Sequence, residues 1–229
     1  MAGKYTASSG TDLHAYLQKL FLQYNQGAEP QKRIEVTEGQ LQSFVKLIEL
    51  LSYWNKSLNL TAIRDEREMA LLHIMDSAVV SPLLGEARLI ADVGTGAGFP
   101  GLVLALLNPD KEFTLVDSIA KKLAFVTTAA TQLNLTNVKI VQARVEQLES
   151  DEGFEVIVSR AFAPLERMVN WCLPLLKPEG RFIAMKAHLT KEELSAVPST
   201  VRTAKIESLQ VPGLDALRQA VILTRTETE

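Results

Sequence analysis

Apolar positions along the chain change their period once, near residue 89. Before that point they recur at helical spacing. Leu13, Tyr16, Leu17, Leu20 and Phe21 share one face of a helix expected to open at Thr11-Asp12, both good capping residues. Residues 25–33, with Gly27 and Pro30, read as a connection. Thr37-Glu38-Gly39-Gln40 has capping-box spacing, and the helix behind it is expected to bury Leu41, Phe44, Val45, Ile48, Leu51 and Leu58. A third helix is expected over residues 66–83. Beyond residue 89, short apolar runs alternate with helical ones. Strands are expected over 89–93, 112–117, 138–142, 154–159 and 180–186, with helices over 102–107, 120–133 and 164–175. That alternation predicts a parallel sheet with helical crossovers. Two further strands, over 202–210 and 220–226, have no long helix between them and predict an antiparallel hairpin that closes the sheet. Residues 1–10 are small and polar and are expected to be a disordered tail. Residues 11–85 then form a helical extension packed on the sheet, and residues 86–229 a single α/β domain.

The change of period falls on Leu89-Ile90-Ala91-Asp92-Val93-Gly94-Thr95-Gly96-Ala97-Gly98-Phe99-Pro100-Gly101. Strand, glycine turn and helix in that order bring backbone N–H groups close to a nucleotide-like ligand. Two ligand classes fit. Gly96, Gly98 and Gly101 have the G-x-G-x-x-G spacing of dinucleotide folds. Asp92 with Gly94, Gly96 and Gly98 instead resembles motif I of the class I methyltransferases, which bind S-adenosylmethionine. Asp117 ends the second strand, where a carboxylate can accept the ribose hydroxyls of an adenosine or cap the following helix. Val145 and Glu146 follow the third strand, at the ligand-facing end of the sheet, and either read an adenine edge or begin an ordinary helix. Arg160 follows the fourth strand in Ser159-Arg160-Ala161-Phe162. An arginine there holds a carboxylate, a phosphate or the O6/N7 edge of guanine, or makes a surface ion pair.

The 229 residues and their 47% hydrophobic content allow one α/β domain with an extension and a sizeable core. There is no membrane-length apolar run and no signal-peptide pattern, so a soluble, cytoplasmic protein is expected. One cysteine, Cys172, excludes an internal disulfide framework, and three scattered histidines give no support to a metal site. A net charge of −3 argues against coating nucleic acid through an overall field, but not against a local basic face. Arg64, His73 and Lys186, with Arg160, are candidates for such a face.

Trp54-Asn55-Lys56, Asn59-Leu60-Thr61, Arg64-Asp65, His73-Ile74-Met75-Asp76-Ser77, the glycine loop, Arg144-Val145-Glu146, Ser159-Arg160-Ala161-Phe162 and Gly180-Arg181-Phe182 together resemble the RsmG (GidB) family. These are bacterial 16S rRNA guanine-N7 methyltransferases. The resemblance covers the chain from about residue 37 onward. It implies a class I S-adenosylmethionine-dependent methyltransferase fold: Rossmann-like, mostly parallel, with an antiparallel C-terminal strand and an N-terminal helical extension. It also implies methyl transfer from S-adenosyl-L-methionine to one guanine N7 in 16S rRNA. The partner would be 16S rRNA or the assembling small subunit, and a monomer is expected. By motif position, cofactor contacts would be Gly94, Phe99, Val145, Glu146 and Arg160. Asp92, Gly96 and Asp117 are added from the general class I pattern. Ala97 and Phe99 stand where proline and often leucine occur in the family. No catalytic acid, base or nucleophile is assigned, because guanine N7 already has a free lone pair; catalysis would be alignment, with Arg160 the nearest candidate. Two other readings stand beside this one: a nicotinamide-dependent oxidoreductase using the offset glycines, and a non-catalytic ribosome-assembly factor that keeps the fold.

Overall fold

The computed structural model describes residues 8–226. The first helix, α1, spans Ser8–Gly27. It therefore starts ahead of the expected Thr11, and residues 8–10 of the expected tail are helical. Once a helix is nucleated downstream, adding residues without proline costs little. Residues 1–7 lie outside the described part. The second helix, α2, spans Glu38–Leu58 behind a complete capping box. The Gln40 N–H donates to Thr37 Oγ1 at 3.3 Å and the Thr37 N–H to Gln40 Oε1 at 2.9 Å. Leu41, Phe44, Ile48 and Leu51 are buried as expected, joined by Leu47, while Val45 and Leu58 are half-buried.

The third helix, α3, covers residues 66–78 and widens to π-helix over Ala70–Met75. It stops short of the expected residue 83. Pro82 disfavours α geometry in the residue before it, and a short 3₁₀ turn over Ser81–Leu84 follows instead.

Among the described residues, seven strands form one sheet in the order β3-β2-β1-β4-β5-β7-β6. They are β1 (Leu89–Val93), β2 (Glu112–Asp117), β3 (Val138–Gln142), β4 (Phe154–Arg160), β5 (Leu176–Lys186), β6 (Val201–Ser208) and β7 (Gln219–Arg225). The first five run parallel, and β7 pairs antiparallel with both β5 and β6. The crossovers carry α4 (Gly101–Leu107), α5 (Ala120–Gln132) and α6 (Leu165–Cys172), and α7 (Lys191–Ser195) precedes β6. The expected helix over 164–175 ends early because Pro174 cannot continue it, and the chain tightens to 3₁₀.

Side-chain alternation along the strands divides the core in two. Ile90, Val156, Val158, Ile183 and Met185 face the extension with α4 and α5. Ala91, Val93, Ile157, Phe182 and Ala184 face α6. The N-terminal helices thus cover one face of the sheet as an added layer, which places α3 beside the ends of β1 and β4.

Candidate cofactor site

The sheet order reverses between β1 and β4, and the crossovers from those strands leave in opposite directions. A crevice opens at their carboxyl ends for that reason. The loops after β1, β2, β3 and β4 meet there. They form a cleft of about 360 Å³ lined by Gly94, Asp117, Lys122, Val145, Glu146, Phe162 and Trp171, among others.

Two carboxylates hold the glycine loop. Asp92 is fully buried; its Oδ2 accepts from Thr95 Oγ1 at 2.6 Å and from the Gly101 N–H at 2.8 Å. A side chain at residue 101 would lie 2.7 Å from that oxygen, so glycine is needed for the approach. Asp117 accepts the Gly96 N–H on Oδ2 and the Ile119 N–H on Oδ1, both at 2.9 Å. It therefore fixes the loop and the entry to α5 together. Gly94 has φ of +69°, and the Phe162 ring lies against its Cα: an added Cβ would sit 2.2 Å from Phe162 Cδ2.

Burial drives the Asp92 carboxyl up to about 6, while the Thr95 and Gly101 hydrogen bonds pull it down. Its Oδ1 is buried with no partner among the described residues.

A second cluster adjoins the loop. The His73 ring stacks on Phe99 with centroids 4.7 Å apart, and the Arg160 guanidinium lies 5.6 Å from the same Phe99 ring. Arg160 donates to Leu72 O at 2.8 Å, to Asp76 Oδ2 at 3.1 Å and to His73 Nδ1 at 3.3 Å. Arg218 Nε reaches the other oxygen of Asp76 at 2.9 Å. Arg64 joins more remotely, donating to Thr61 O and Asn59 Oδ1, while Thr61 Oγ1 contacts His73 Nε2 at 3.0 Å.

The candidate residues thus fall into two adjoining groups. Gly94, Asp117, Val145 and Glu146 line the cleft, with Asp92 on β1 and Gly96 in the loop supporting it. Phe99 and Arg160 belong to the α3 cluster. The expected basic face needs correction. His73 is buried, and desolvation with the neighbouring Arg160 lowers its pKa to about 3, so it presents no charge to a phosphate. Lys186 donates to Ala163 O and pairs with Glu193 at 2.6 Å, so its charge is matched within the protein. Arg64 is exposed but touches neither Arg160 nor Lys186.

Sequence reasoning assigned no role to Asp76, Arg218 or Phe162. The His73-x-x-Asp76 spacing on one helical face was a usable signal for Asp76. Arg218 approaches from the β6–β7 connection, and nothing in its local sequence marks it. Cys172 is buried on α6 with its thiol pushed up to about 12, which excludes a thiolate nucleophile. Among the described residues there is no cluster of three or more metal-ligating side chains, and no helix is long and apolar enough to cross a membrane.

Sheet order, the acid-anchored glycine loop and a carboxylate at the end of β2 are those of the class I S-adenosylmethionine-dependent methyltransferase fold. The fold is similar to that of the N-methyltransferase NodS from Bradyrhizobium japonicum WM9 in complex with S-adenosyl-L-homocysteine: TM-score 0.53, 13% identity, 78% of this chain and 99% of that one covered. It is also similar to a TehB-like S-adenosylmethionine-dependent methyltransferase from Corynebacterium glutamicum: TM-score 0.54, 14% identity, 70% and 94% covered. More narrowly, residues 40–222 match the GidB family model, rRNA small subunit methyltransferase G, and the chain belongs to that family. Ribosomal RNA small subunit methyltransferase G of Psychromonas ingrahamii is 47% identical over 195 residues, covering 85% of this chain and 94% of that protein. The protein of the same name from Aeromonas salmonicida is 44% identical over 199 residues, covering 87% and 95%.

Proposed function

We propose that the protein transfers the methyl group of S-adenosyl-L-methionine to N7 of one guanine in 16S rRNA. Membership of the rRNA small subunit methyltransferase G family supports the substrate. The observation that carries the chemistry is the glycine loop pinned between Asp92 and Asp117 at the β1/β4 switch point. On this reading Gly94, Val145 and Glu146 line the cofactor cleft, Asp92 and Gly96 shape its floor, Asp117 faces the ribose, and Phe99 and Arg160 close the amino-acid end. On the same reading residues 86–229 are the methyltransferase domain, a single globular unit, and residues 11–85 the helical extension packed on its sheet.

The bound sulfonium supplies an activated methyl group. The protein's task is alignment, because guanine N7 has no proton to lose. The residues near the site agree with that division. His73 has both ring nitrogens engaged, and the Cys172 thiol is buried and protonated. Holding nucleophile and methyl carbon in line removes on the order of 7–11 kcal/mol of barrier in well-oriented systems. We further propose action in the cytoplasm on 16S rRNA or the assembling subunit, as a monomer, without metal or membrane.

Mass spectrometry of rRNA from a strain lacking the gene tests the reading. Loss of a single 7-methylguanosine from 16S rRNA is expected, and an unchanged modification profile would overturn it. Equilibrium binding separates the oxidoreductase alternative: S-adenosylhomocysteine should bind and NADH should not.

A further inference from the structure

Arg160 is held in a way that leaves part of it free. A guanidinium has five N–H groups. Leu72 O and Asp76 Oδ2 engage Nη1, and His73 Nδ1 engages Nη2. Nε–H and one Nη2–H have no partner among the described residues. Nε and Nη2 share one edge of the planar fork, the edge that grips paired oxygens of a carboxylate or phosphate. The Arg160 side chain keeps 20% of its surface exposed.

The contact from His73 has only one polarity. Arginine cannot accept a hydrogen bond, so Nδ1 carries the lone pair and Nε2 the proton. Nε2–H then donates to Thr61 Oγ1. Thr61 is itself fixed on both sides by Asn55: its N–H donates to Asn55 Oδ1 at 2.9 Å, and its carbonyl accepts from Asn55 Nδ2 at 3.0 Å. The π-helical turn carries His73 and Leu72 O, and one helical residue pair therefore supplies two of the three contacts on Arg160. Stacking on Phe99 fixes the plane of the imidazole.

We infer that His73 is a positioning residue: its Nδ1 lone pair, locked by Thr61, turns the free edge of Arg160 toward an oxygen pair on a bound ligand. The inference rests on the proposed reading of the site. The oxygen pair belongs to the carboxylate of the cofactor or to an RNA phosphate, and the same experiment separates the two.

The test uses the full chain, with dissociation constants for S-adenosylhomocysteine and, separately, for a 16S rRNA transcript. His73→Phe keeps a ring against Phe99 but removes the acceptor. It should weaken one of the two ligands about tenfold, the usual scale for a hydrogen bond to a charged group. Arg160→Ala should weaken the same ligand, and His73→Phe should add no further loss in that background. His73→Asn, whose Oδ1 stands near the position of Nδ1, should recover most of the affinity. Thr61→Val, which frees the tautomer while leaving His73 in place, should cost the same ligand about threefold and nothing in the Arg160→Ala background. A loss for S-adenosylhomocysteine identifies the carboxylate; a loss for RNA identifies the phosphate. Wild-type affinities in both His73→Phe and Thr61→Val, or losses that multiply with that of Arg160→Ala, would overturn the inference while leaving the proposed function standing. A wild-type chain that binds NADH and not S-adenosylhomocysteine would overturn the function, and this inference with it.

Discussion

Gly94 has little freedom to change. A non-glycine residue at φ of +69° costs about 1–2 kcal/mol, and an alanine Cβ would also force the Phe162 ring off the loop. Gly94→Ala should therefore lower stability and abolish measurable S-adenosylhomocysteine binding in calorimetry. Adding Phe162→Ala should restore part of the stability by removing the clash. Asp92 and His73 make opposite contributions to the pH dependence. His73, near 3 when folded and about 6.5 when unfolded, takes up its proton first in the unfolded chain, so stability is lost as pH falls below about 6.5. Asp92, near 6 when folded and about 3.9 when unfolded, takes up its proton first in the folded chain, so stability is gained as pH falls from about 6 to about 4. Between about pH 6 and pH 4 the two offset. Asp92→Asn should expose the His73 effect there, as an extra loss of about 1.4 kcal/mol per pH unit relative to wild type. Chemical denaturation at stepped pH measures it, and parallel curves for the two proteins would rule it out.

At the scale of elements, α2 joins extension to domain. Gln40 completes the capping box and also donates to Leu106 O at 2.8 Å, tying the start of α2 to the end of α4. Thr37→Ala should cost about 1 kcal/mol in urea titrations and leave methylation of rRNA unchanged. The strands and the crossover helices were legible in the period of apolar residues because strand burial alternates and helix burial recurs every three to four positions. Their ends were less so. β5 begins at Leu176, four residues before the expected Gly180, because the chain stays extended through an irregular pairing between Phe154 and Val156 of β4. The π-helical turn over Ala70–Met75 has no local signature either; Arg160 meets it at Leu72 O and Phe99 at the His73 ring.

For the whole molecule, the exposed edges bear on assembly. β6 is one edge of the sheet, and it carries Arg202 and Lys205 beside a register shift between Thr203 and Lys205. Charge and irregular pairing on an edge oppose strand addition by a second chain. Size-exclusion chromatography with light scattering should give a mass near 25.2 kDa, and a stable dimer would contradict the monomer reading. The sequence by itself determined the alternating α/β class and the place of the acid-and-glycine loop, because these are carried by short-range spacing that backbone geometry reads directly. Only the tertiary structure decided which charges are free. His73 and Lys186 look alike on paper as cations, yet one is desolvated to neutrality and the other is matched by Glu193. Arg160, Asp76 and Arg218 lie 84 and 142 positions apart along the chain, and only the sheet order brings them together. Burial and ion pairing depend on the neighbours that the fold supplies, and no local pattern encodes them.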